Sequence, residues 1–368
     1  MSEVRQGAPA PPPGRPPTVP GPTVGPATVR EDVVTVLLGA CLIAGALADG
    51  WAHANIVETL EGFFTPWHAL LYGGLSATAA WTFWLAYRRR VQAPRWWRDG
   101  WPAGYRAGAL GVLLFVVGGL ADMVWHETLG VEVGLNAAFS PSHMLIDVGA
   151  ILMVTSPLRS SWANPNGRLR AAAGVGAATL GAMGATILLS HSSALLKAAP
   201  TVAYDVERDQ GGGAELLAIA GVGAYVVSTL LLAIPLLLVH RRRATAGAGT
   251  AIVAGVSLFT LIMFEFPSAA TAGALGALLG AALADVLLHR LDAARGPAAW
   301  MRLPVAGALF AMLVWSGQLL GLYVEEGVRW PAEMWTGIVT LCGLLGALLG
   351  GLAAGPGDRA PTGPGRPA

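Results

Sequence analysis

Residues 49–68 carry the sequence DGWAHANIVETLEGFFTPWH, and residues 122–143 carry DMVWHETLGVEVGLNAAFSPSH. Each stretch ends one apolar run of the chain and begins the next. An Asp and the His four residues after it recur at an offset of 73 residues, and the His that opens the following apolar run recurs at an offset of 75. This repetition predicts two helical hairpins in tandem.

The composition predicts an all-α protein embedded in a membrane. The chain is 54% hydrophobic and 12% charged, whereas soluble domains carry roughly 25% charged residues. Apolar runs of about 20 residues, the length of a helix that crosses a bilayer, recur along the chain. We predict a polytopic transmembrane helical bundle of about ten spans, near residues 33–53, 65–87, 105–126, 141–157, 171–195, 214–239, 249–265, 269–289, 303–323 and 334–354.

Proline-rich ends flank the predicted bundle. Residues 1–31 and 355–368 are rich in Pro and Gly and are predicted to be disordered tails, because such segments bury too little apolar surface to fold. Between them, residues 32–157 hold the duplicated hairpins (spans one to four), and residues 158–354 hold the remaining bundle (spans five to ten). The net charge of +1 gives no indication of a nucleic-acid partner. The expected partners are the lipid bilayer and other membrane subunits.

The basic residues predict the orientation of the chain. Arginines cluster after spans two, four, six and eight, whereas the intervening loops are acidic. Because Lys and Arg concentrate in cytoplasmic loops, both termini are predicted to be cytoplasmic in a plasma (inner) membrane protein. The repeated motif then lies at the outer ends of its spans.

The repeated motif has the composition of a metal site. Residues four apart on a helix share one face, with Cβ atoms roughly 5–6 Å apart, so the Asp and the His of each copy can bind one ion. The His in the first turn of the next span can complete the site across the hairpin. Two imidazoles and a carboxylate suit copper(II), zinc or ferrous iron, and ligand type alone does not choose among them. The predicted ligands are Asp49, His53 and His68, and then Asp122, His126 and His143.

Further acidic residues lie close to these ligands in sequence. They are candidates for additional ligands or for partners that orient the ligands, namely Glu58, Glu127, Glu132 and Asp147. Asp147 follows His143 by one helical turn, whereas Tyr72 holds the corresponding position after His68. We therefore predict two neighbouring but unequal sites, one per hairpin, with tighter metal binding at the second.

The remaining histidines have simpler interpretations. Asp285 and His289 repeat the four-residue spacing but lack a third ligand, and are interpreted as part of an interfacial ion pair. His240 precedes an arginine and is interpreted as a flanking charge. His191, near the outer end of span five, can join the site. A hydrogen-bonded polar cluster that caps the two hairpins is the alternative to a metal site.

The motif resembles the metal site in the C subunit of the copper membrane monooxygenases, a group that includes particulate methane monooxygenase and ammonia monooxygenase. The resemblance is confined to the repeated motif, and this chain differs in having two copies of it and more spans. It implies a copper cofactor and oxidation of a small or apolar substrate. The residues that match the metal-site motif of this family are Asp49, His53, His68, Asp122, His126 and His143.

Three functions are compatible with these features. The first is a copper-dependent, monooxygenase-like oxidase of a small or apolar substrate. The second is a membrane protein for copper uptake, delivery or sensing. The third is a zinc-dependent intramembrane hydrolase, with Glu127 or Asp147 as general base. The interior offers few polar residues beyond Gln318, which favours a fixed site over a transport path, since transporters bind their substrate near the bilayer midplane.

The predicted orientation can be tested with a single introduced cysteine. Glu61 lies in the acidic loop between the first two spans, so Glu61→Cys should react with an impermeant thiol reagent on intact cells. Labelling that requires membrane disruption would reverse the orientation.

Overall fold

The computed structural model describes residues 24–56, 63–130, 132, 134–205, 207–209, 211–241, 245–293 and 299–354. These residues are mostly helical, and none of them forms a β-strand, which confirms the predicted all-α fold. The α-helices are α1 (Val29–Asn55), α2 (Pro66–Tyr87), α3 (Trp96–Asp99), α4 (Arg106–Leu129), α5 (Gly134–Phe139), α6 (Pro141–Val154), α7 (Ser156–Ala163), α8 (Arg168–Leu189), α9 (Gly213–His240), α10 (Ala248–Met263), α11 (Ser268–Ala293), α12 (Arg302–Glu325) and α13 (Ala332–Ala353).

Each of the ten predicted spans lies on a helix, and eight helical segments within the described residues are long and apolar enough to cross a membrane. They are Val29–Asn55, Arg106–Leu129, Pro141–Ala163, Arg168–Ser192, Gly213–His240, Ser268–Asp292, Arg302–Glu325 and Ala332–Ala353. The seventh predicted span, α10, is an apolar helix of 16 residues, shorter than the usual transmembrane length. The second, α2, is 22 residues long but rich in Gly, Ser, Thr and aromatic residues, which lowers its hydropathy.

The first helix begins earlier than predicted. A capping box starts it at Val29: Thr28 accepts a hydrogen bond from the backbone N–H of Glu31, and the Glu31 carboxylate accepts one from the backbone N–H of Thr28. Such reciprocal bonds satisfy two of the amides that a helix start leaves unpaired. Residues 29–31 of the tail predicted to be disordered (1–31) are therefore helical, whereas residues 1–23 and the predicted tail 355–368 lie outside the described residues.

The two predicted hairpins share one mode of helix packing. A Cβ built on Gly45 of α1 lies 2.8 Å from the Cα of Leu71 in α2, and a Cβ built on Gly118 of α4 lies 2.9 Å from the backbone N of Ile146 in α6. Gly118 follows Gly45 by 73 residues, and Ile146 follows Leu71 by 75, the offsets of the sequence motif. Small residues at such crossings let membrane helices approach to backbone contact. The duplication therefore extends from the motif into the helix crossing.

A second pair of glycines completes each crossing from the other helix. A Cβ on Gly74 of α2 lies 2.6 Å from the Cα of Leu42, and a Cβ on Gly149 of α6 lies 2.7 Å from the backbone N of Phe115. Phe115 follows Leu42 by 73 residues, and Gly149 follows Gly74 by 75. Each hairpin thus has reciprocal glycine contacts between its two helices.

The hairpins and the remaining helices share a core. Leu42 of α1 and Phe115 of α4 belong to the same buried apolar cluster as Leu180 of α8 and Phe259 of α10. The predicted boundary between residues 157 and 158 falls inside α7. The division at that point is therefore not a break in packing.

A buried ion pair joins four parts of the bundle at the end opposite to the repeated motif. The carboxylate of Asp32 on α1 accepts hydrogen bonds from Tyr105 (2.8 Å), from Ser160 on α7 (3.1 Å) and from Arg170 on α8 (2.7 Å). Arg170 also donates to the backbone oxygen of Ala27 at 2.9 Å. Arg170 is one of the arginines that follow the fourth predicted span, but it is buried in α8, where Asp32 neutralises its charge.

Adjacent glycines in α2 test the crossing. Gly74→Ala should lower the free energy of unfolding by about 1–3 kcal/mol, because its Cβ would overlap the backbone at Leu42. Gly73→Ala is the matched control, since nothing lies within 4 Å of a Cβ at Gly73. It should be neutral or slightly stabilising because Ala favours helix over Gly. Unfolding of the two purified variants measures both effects, and equal losses would contradict the proposed crossing.

Candidate metal centre

Two helix ends carry the Asp–His pairs of the motif. Asp49 and His53 lie in the last turns of α1, and Asp122 and His126 lie in the corresponding turns of α4. Asp122 and His126 are buried. Residues four apart on a helix share one face, so each pair is directed to one side of its helix.

Two helix starts carry the remaining histidines. His68 and His143 each occupy the first turn of a helix that begins with proline. The backbone N–H of His68 donates to the hydroxyl of Thr65 (3.1 Å), and that of His143 donates to Ser140 (3.4 Å). These caps satisfy amides at the helix start, and they hold both histidines in equivalent positions.

The backbone also orients both imidazoles. Nδ1 of His68 is 2.5 Å from the carbonyl oxygen of Phe63, and Nδ1 of His143 is 2.7 Å from that of Ala137. A carbonyl oxygen only accepts hydrogen bonds, so Nδ1 carries the proton in each ring. Nε2 is then directed at the centre, which is the arrangement that ligating histidines adopt when a partner holds the other nitrogen.

The four histidines of the two hairpins meet in one cluster. The ring centroid of His53 lies 5.9 Å from those of His68 and His126, and 6.3 Å from that of His143. The centroid of His126 lies 5.5 Å from that of His68 and 6.3 Å from that of His143. The helix ends therefore bring together residues that are separated by up to 90 positions in the sequence.

The cluster contains two groups of side chains whose donor atoms lie within 4.8 Å of one another. Both groups include His126, which makes them parts of one centre. The first group is His53, His68 and His126, and the second is Asp122, His126, Glu132 and His143.

This grouping differs from the expected arrangement, in which each hairpin supplies all the ligands of its own site. The first group takes its third imidazole from the second hairpin: the ring of His126 on α4 lies 5.9 Å from that of His53 on α1 and 5.5 Å from that of His68 on α2. Asp49 belongs to neither group, although its Oδ1 lies 3.4 Å from Nε2 of His68. The two copies of the motif are thus alike in sequence but unequal in what they contribute.

Carboxylates border the histidines of the second group. Oδ1 of Asp122 lies 3.0 Å from Nε2 of His143 and 3.7 Å from Nε2 of His126. Oε2 of Glu132 lies 3.7 Å from the same nitrogen of His126. Ser142 donates a hydrogen bond of 3.3 Å to Asp122. Glu132, which was only a candidate from the sequence, therefore lies among the donor atoms.

Several donor atoms of this cluster are buried without a hydrogen-bond partner among the described residues. Buried polar groups are nearly always hydrogen-bonded, and ionisable groups within a membrane bundle are expensive unless paired. A cation surrounded by these atoms would remove the deficit, so the donor set fits a bound metal ion. The atoms are Oδ1 of Asp49, both ring nitrogens of His53 and of His126, and both carboxylate oxygens of Glu132.

A cavity of about 430 Å³ adjoins the centre. Asp49, His53, Asp122 and His143 form part of its wall, together with other residues of the two hairpins, of α5, and of the ends of α8 and α10. His191, in a 3-10 turn after α8, also lines this cavity but belongs to neither donor group. The centre therefore has room beside it for a small molecule.

Other predicted residues lie outside the donor groups. Asp147 is buried and lines the cavity. Glu127 is exposed, because it lies one residue beyond His126 and so faces away from the centre. Glu58 lies outside the described residues.

The Asp285–His289 pair has a different role from the one expected. Asp285 accepts hydrogen bonds from the backbone N–H groups of Gly249 (3.2 Å) and Thr250 (2.8 Å), and therefore caps the start of α10. His289 is exposed. His240, expected to be a flanking charge, is buried. None of these residues lies in a donor group.

Three alanine variants separate ligation from a general loss of stability. His68→Ala and His143→Ala should each lower metal affinity by at least about tenfold, the effect of losing even an indirect partner of a metal ligand. His289→Ala is the matched control and should leave bound metal unchanged, since its side chain is exposed and outside the centre. Metal content of the purified proteins is the measurement, and equal loss in all three would contradict ligation.

Comparison with known proteins does not add to this picture. No protein-family model, no curated protein and no solved structure matches the chain. The structure by itself describes a helical membrane protein with groups of His, Asp and Glu that can hold a metal ion.

Proposed function

We propose that this chain is a multi-pass plasma-membrane protein that binds copper at the shared centre and oxidises a small or apolar molecule held in the adjoining cavity. In this proposal all ten predicted spans cross the bilayer, both termini are cytoplasmic and the centre faces outward. The observation that carries it is the convergence of four imidazoles from two hairpins at centroid distances of 5.5 to 6.3 Å.

The donor set supports copper. Imidazole nitrogens predominate, and the affinity of such sites for divalent first-row metals is highest for copper(II). The resemblance of the repeated motif to the C subunit of copper membrane monooxygenases points the same way. Zinc and iron suit the same donor types, so the identity of the metal is the first property to measure.

The side chains of the centre would have distinct roles in this function. His68 and His143 hold Nε2 towards the metal because backbone carbonyls accept from Nδ1. Asp122 places a carboxylate oxygen 3.0 Å from Nε2 of His143, so that the two atoms would bind the same ion. Bound copper would supply redox chemistry, in which dioxygen oxidises a C–H bond with two electrons and two protons from an external donor, giving one hydroxyl group and one water. A reduced carrier in the membrane is therefore an expected partner.

The course of α1 supports a fixed site over a path for metal transport. Asp32, near one end of α1, forms an ion pair with Arg170, whereas Asp49 and His53 lie near the other end. Between Thr35 and Asp49, the buried residues of α1 are Gly39, Leu42, Ile43 and Gly45. The buried residues of this stretch offer no ligand to an ion that crosses the bilayer through the bundle, and the thiol of Cys41 is exposed. Copper uptake is therefore less well supported than a fixed centre.

Quantifying copper, zinc and iron together in the purified protein tests the proposal. We expect copper in the wild-type protein and little or none in His126→Ala, because His126 belongs to both donor groups. His289→Ala should keep the wild-type content. Zinc in place of copper would overturn the proposal in favour of the intramembrane hydrolase. A folded wild-type protein that binds none of the three metals would show that the cluster is a hydrogen-bonded cap.

A further inference from the structure

Asp147 is a buried carboxyl group that the metal centre does not use. It lies on α6, one turn after His143, and is 4% exposed. Its Oδ2 has no hydrogen-bond partner among the described residues, and it belongs to neither donor group. His143 does not provide a partner, since its Nδ1 faces the carbonyl of Ala137 and its Nε2 faces Asp122. The centre therefore does not supply a hydrogen-bond partner for this buried carboxyl group.

The surroundings of Asp147 are a cavity wall of mostly apolar side chains. The cavity of about 430 Å³ is lined at this depth by Leu71, Phe115, Ile146, Ala150, Ile187 and Met263. Asp147 lies ~6 Å further along the helix axis than His143, at 1.5 Å per residue. The cavity thus extends from the histidine centre to a single carboxyl group set among hydrocarbon side chains.

The two hairpins differ at this position. Tyr72 of α2 corresponds to Asp147 at the offset of 75 residues. The Tyr72 phenol packs against Gly119 of α4, where its hydroxyl would lie 2.8 Å from an added Cβ, and it does not line the cavity. One hairpin therefore fills the space beside its histidine with an aromatic ring, whereas the other leaves space and places a carboxyl group beside it.

The size of the cavity bears on what it can hold. Its volume of about 430 Å³ falls in the range of small-molecule sites, roughly 300–1,000 Å³. It corresponds to more than about ten molecules of liquid water, at roughly 30 Å³ each. A molecule of one or two heavy atoms would leave most of this space empty and would not reach both the centre and Asp147.

We propose that the cavity binds a small amphiphile, whose hydrocarbon body packs against the apolar wall and whose hydroxyl or amino group donates a hydrogen bond to Asp147. This orientation would direct the hydrocarbon end of the molecule to the histidine centre, so the inference deepens the proposed function by naming the class of substrate. The role of this molecule as a substrate rests on that function, whereas its binding does not.

The test uses the full-length protein in lipid nanodiscs after removal of metal with a chelator. Hexan-1-ol, hexan-1-amine and hexane are the probes, because they share a hydrocarbon chain and differ in the hydrogen-bond donor. Equilibrium dialysis against protein-free nanodiscs corrects for partition into lipid. We expect the alcohol and the amine to bind at least about tenfold more tightly than hexane, because hexane leaves the buried carboxyl group without a hydrogen-bond donor.

Variants of Asp147 provide the decisive comparison. Asp147→Leu should bind hexane as well as the wild type does and lose the preference for the alcohol and the amine. Asp147→Asn keeps the shape of the side chain and serves if Asp147→Leu does not fold. It should still bind the alcohol but lose the preference for the amine, because the amide lacks the charge of a carboxylate. Glu127→Leu is the control for loss of an exposed acid at the same end of the bundle and should match the wild type.

Three outcomes would overturn this inference. Equal affinities for the three probes in the wild type would show that Asp147 contacts no ligand donor. A preference that survives in Asp147→Leu would place the ligand elsewhere. Loss of bound metal in Asp147→Leu without loss of the binding preference would assign the carboxyl group to the centre. Because binding is measured without metal, failure of the copper proposal and failure of this one are distinguished.

Discussion

The helices of each hairpin approach to backbone contact within a turn of the residues that form the centre. Gly45 precedes Asp49 by four residues, and Leu71, which it contacts, follows His68 by three. Since no side chain separates the two backbones there, the end of α1 and the start of α2 remain side by side. This contact brings the His68 ring to within 3.4 Å of the Asp49 carboxylate. The geometry of the centre depends on these glycine crossings more than on contacts among the polar groups themselves.

The sequence predicted much of each hairpin because the relevant signals are local. Proline with a preceding Thr or Ser marks the starts of α2 and α6, and the four-residue spacing of Asp and His follows helix geometry. The repeat could have been traced further, since Gly45-Ala-Leu-Ala-Asp49 and Gly118-Gly-Leu-Ala-Asp122 share the glycine of the crossing. The apolar periodicity likewise predicted the helices of the later bundle, with ends shifted by a few residues.

What the sequence did not predict depends on contacts between distant segments. The role of His126 in both donor groups requires the two hairpins to pack together, through contacts of α1 with α6 and of α2 with α4, and no local pattern encodes those contacts. The sequence places Arg170 in a cytoplasmic loop and indicates a flanking charge for His240, because arginine-rich segments are typical of cytoplasmic loops. Arg170 is buried instead, because Asp32, 138 positions earlier, lies opposite it. Pairings of this kind follow from the tertiary fold.

The Asp32–Arg170 pair also constrains the order in which the chain can be assembled. Translation delivers the first helix well before α8, so Asp32 is made 138 residues ahead of the guanidinium that pairs with it. Tyr105 and Ser160, which also donate to Asp32, are made earlier, but until Arg170 is made the carboxylate has no partner of opposite charge, and an unpaired charge within a bilayer is costly. The residues of the histidine centre, in contrast, are all present once residue 143 has been synthesised. The first helix therefore reaches its final packing only after α8 has been inserted, although α8 contributes no residue to either donor group.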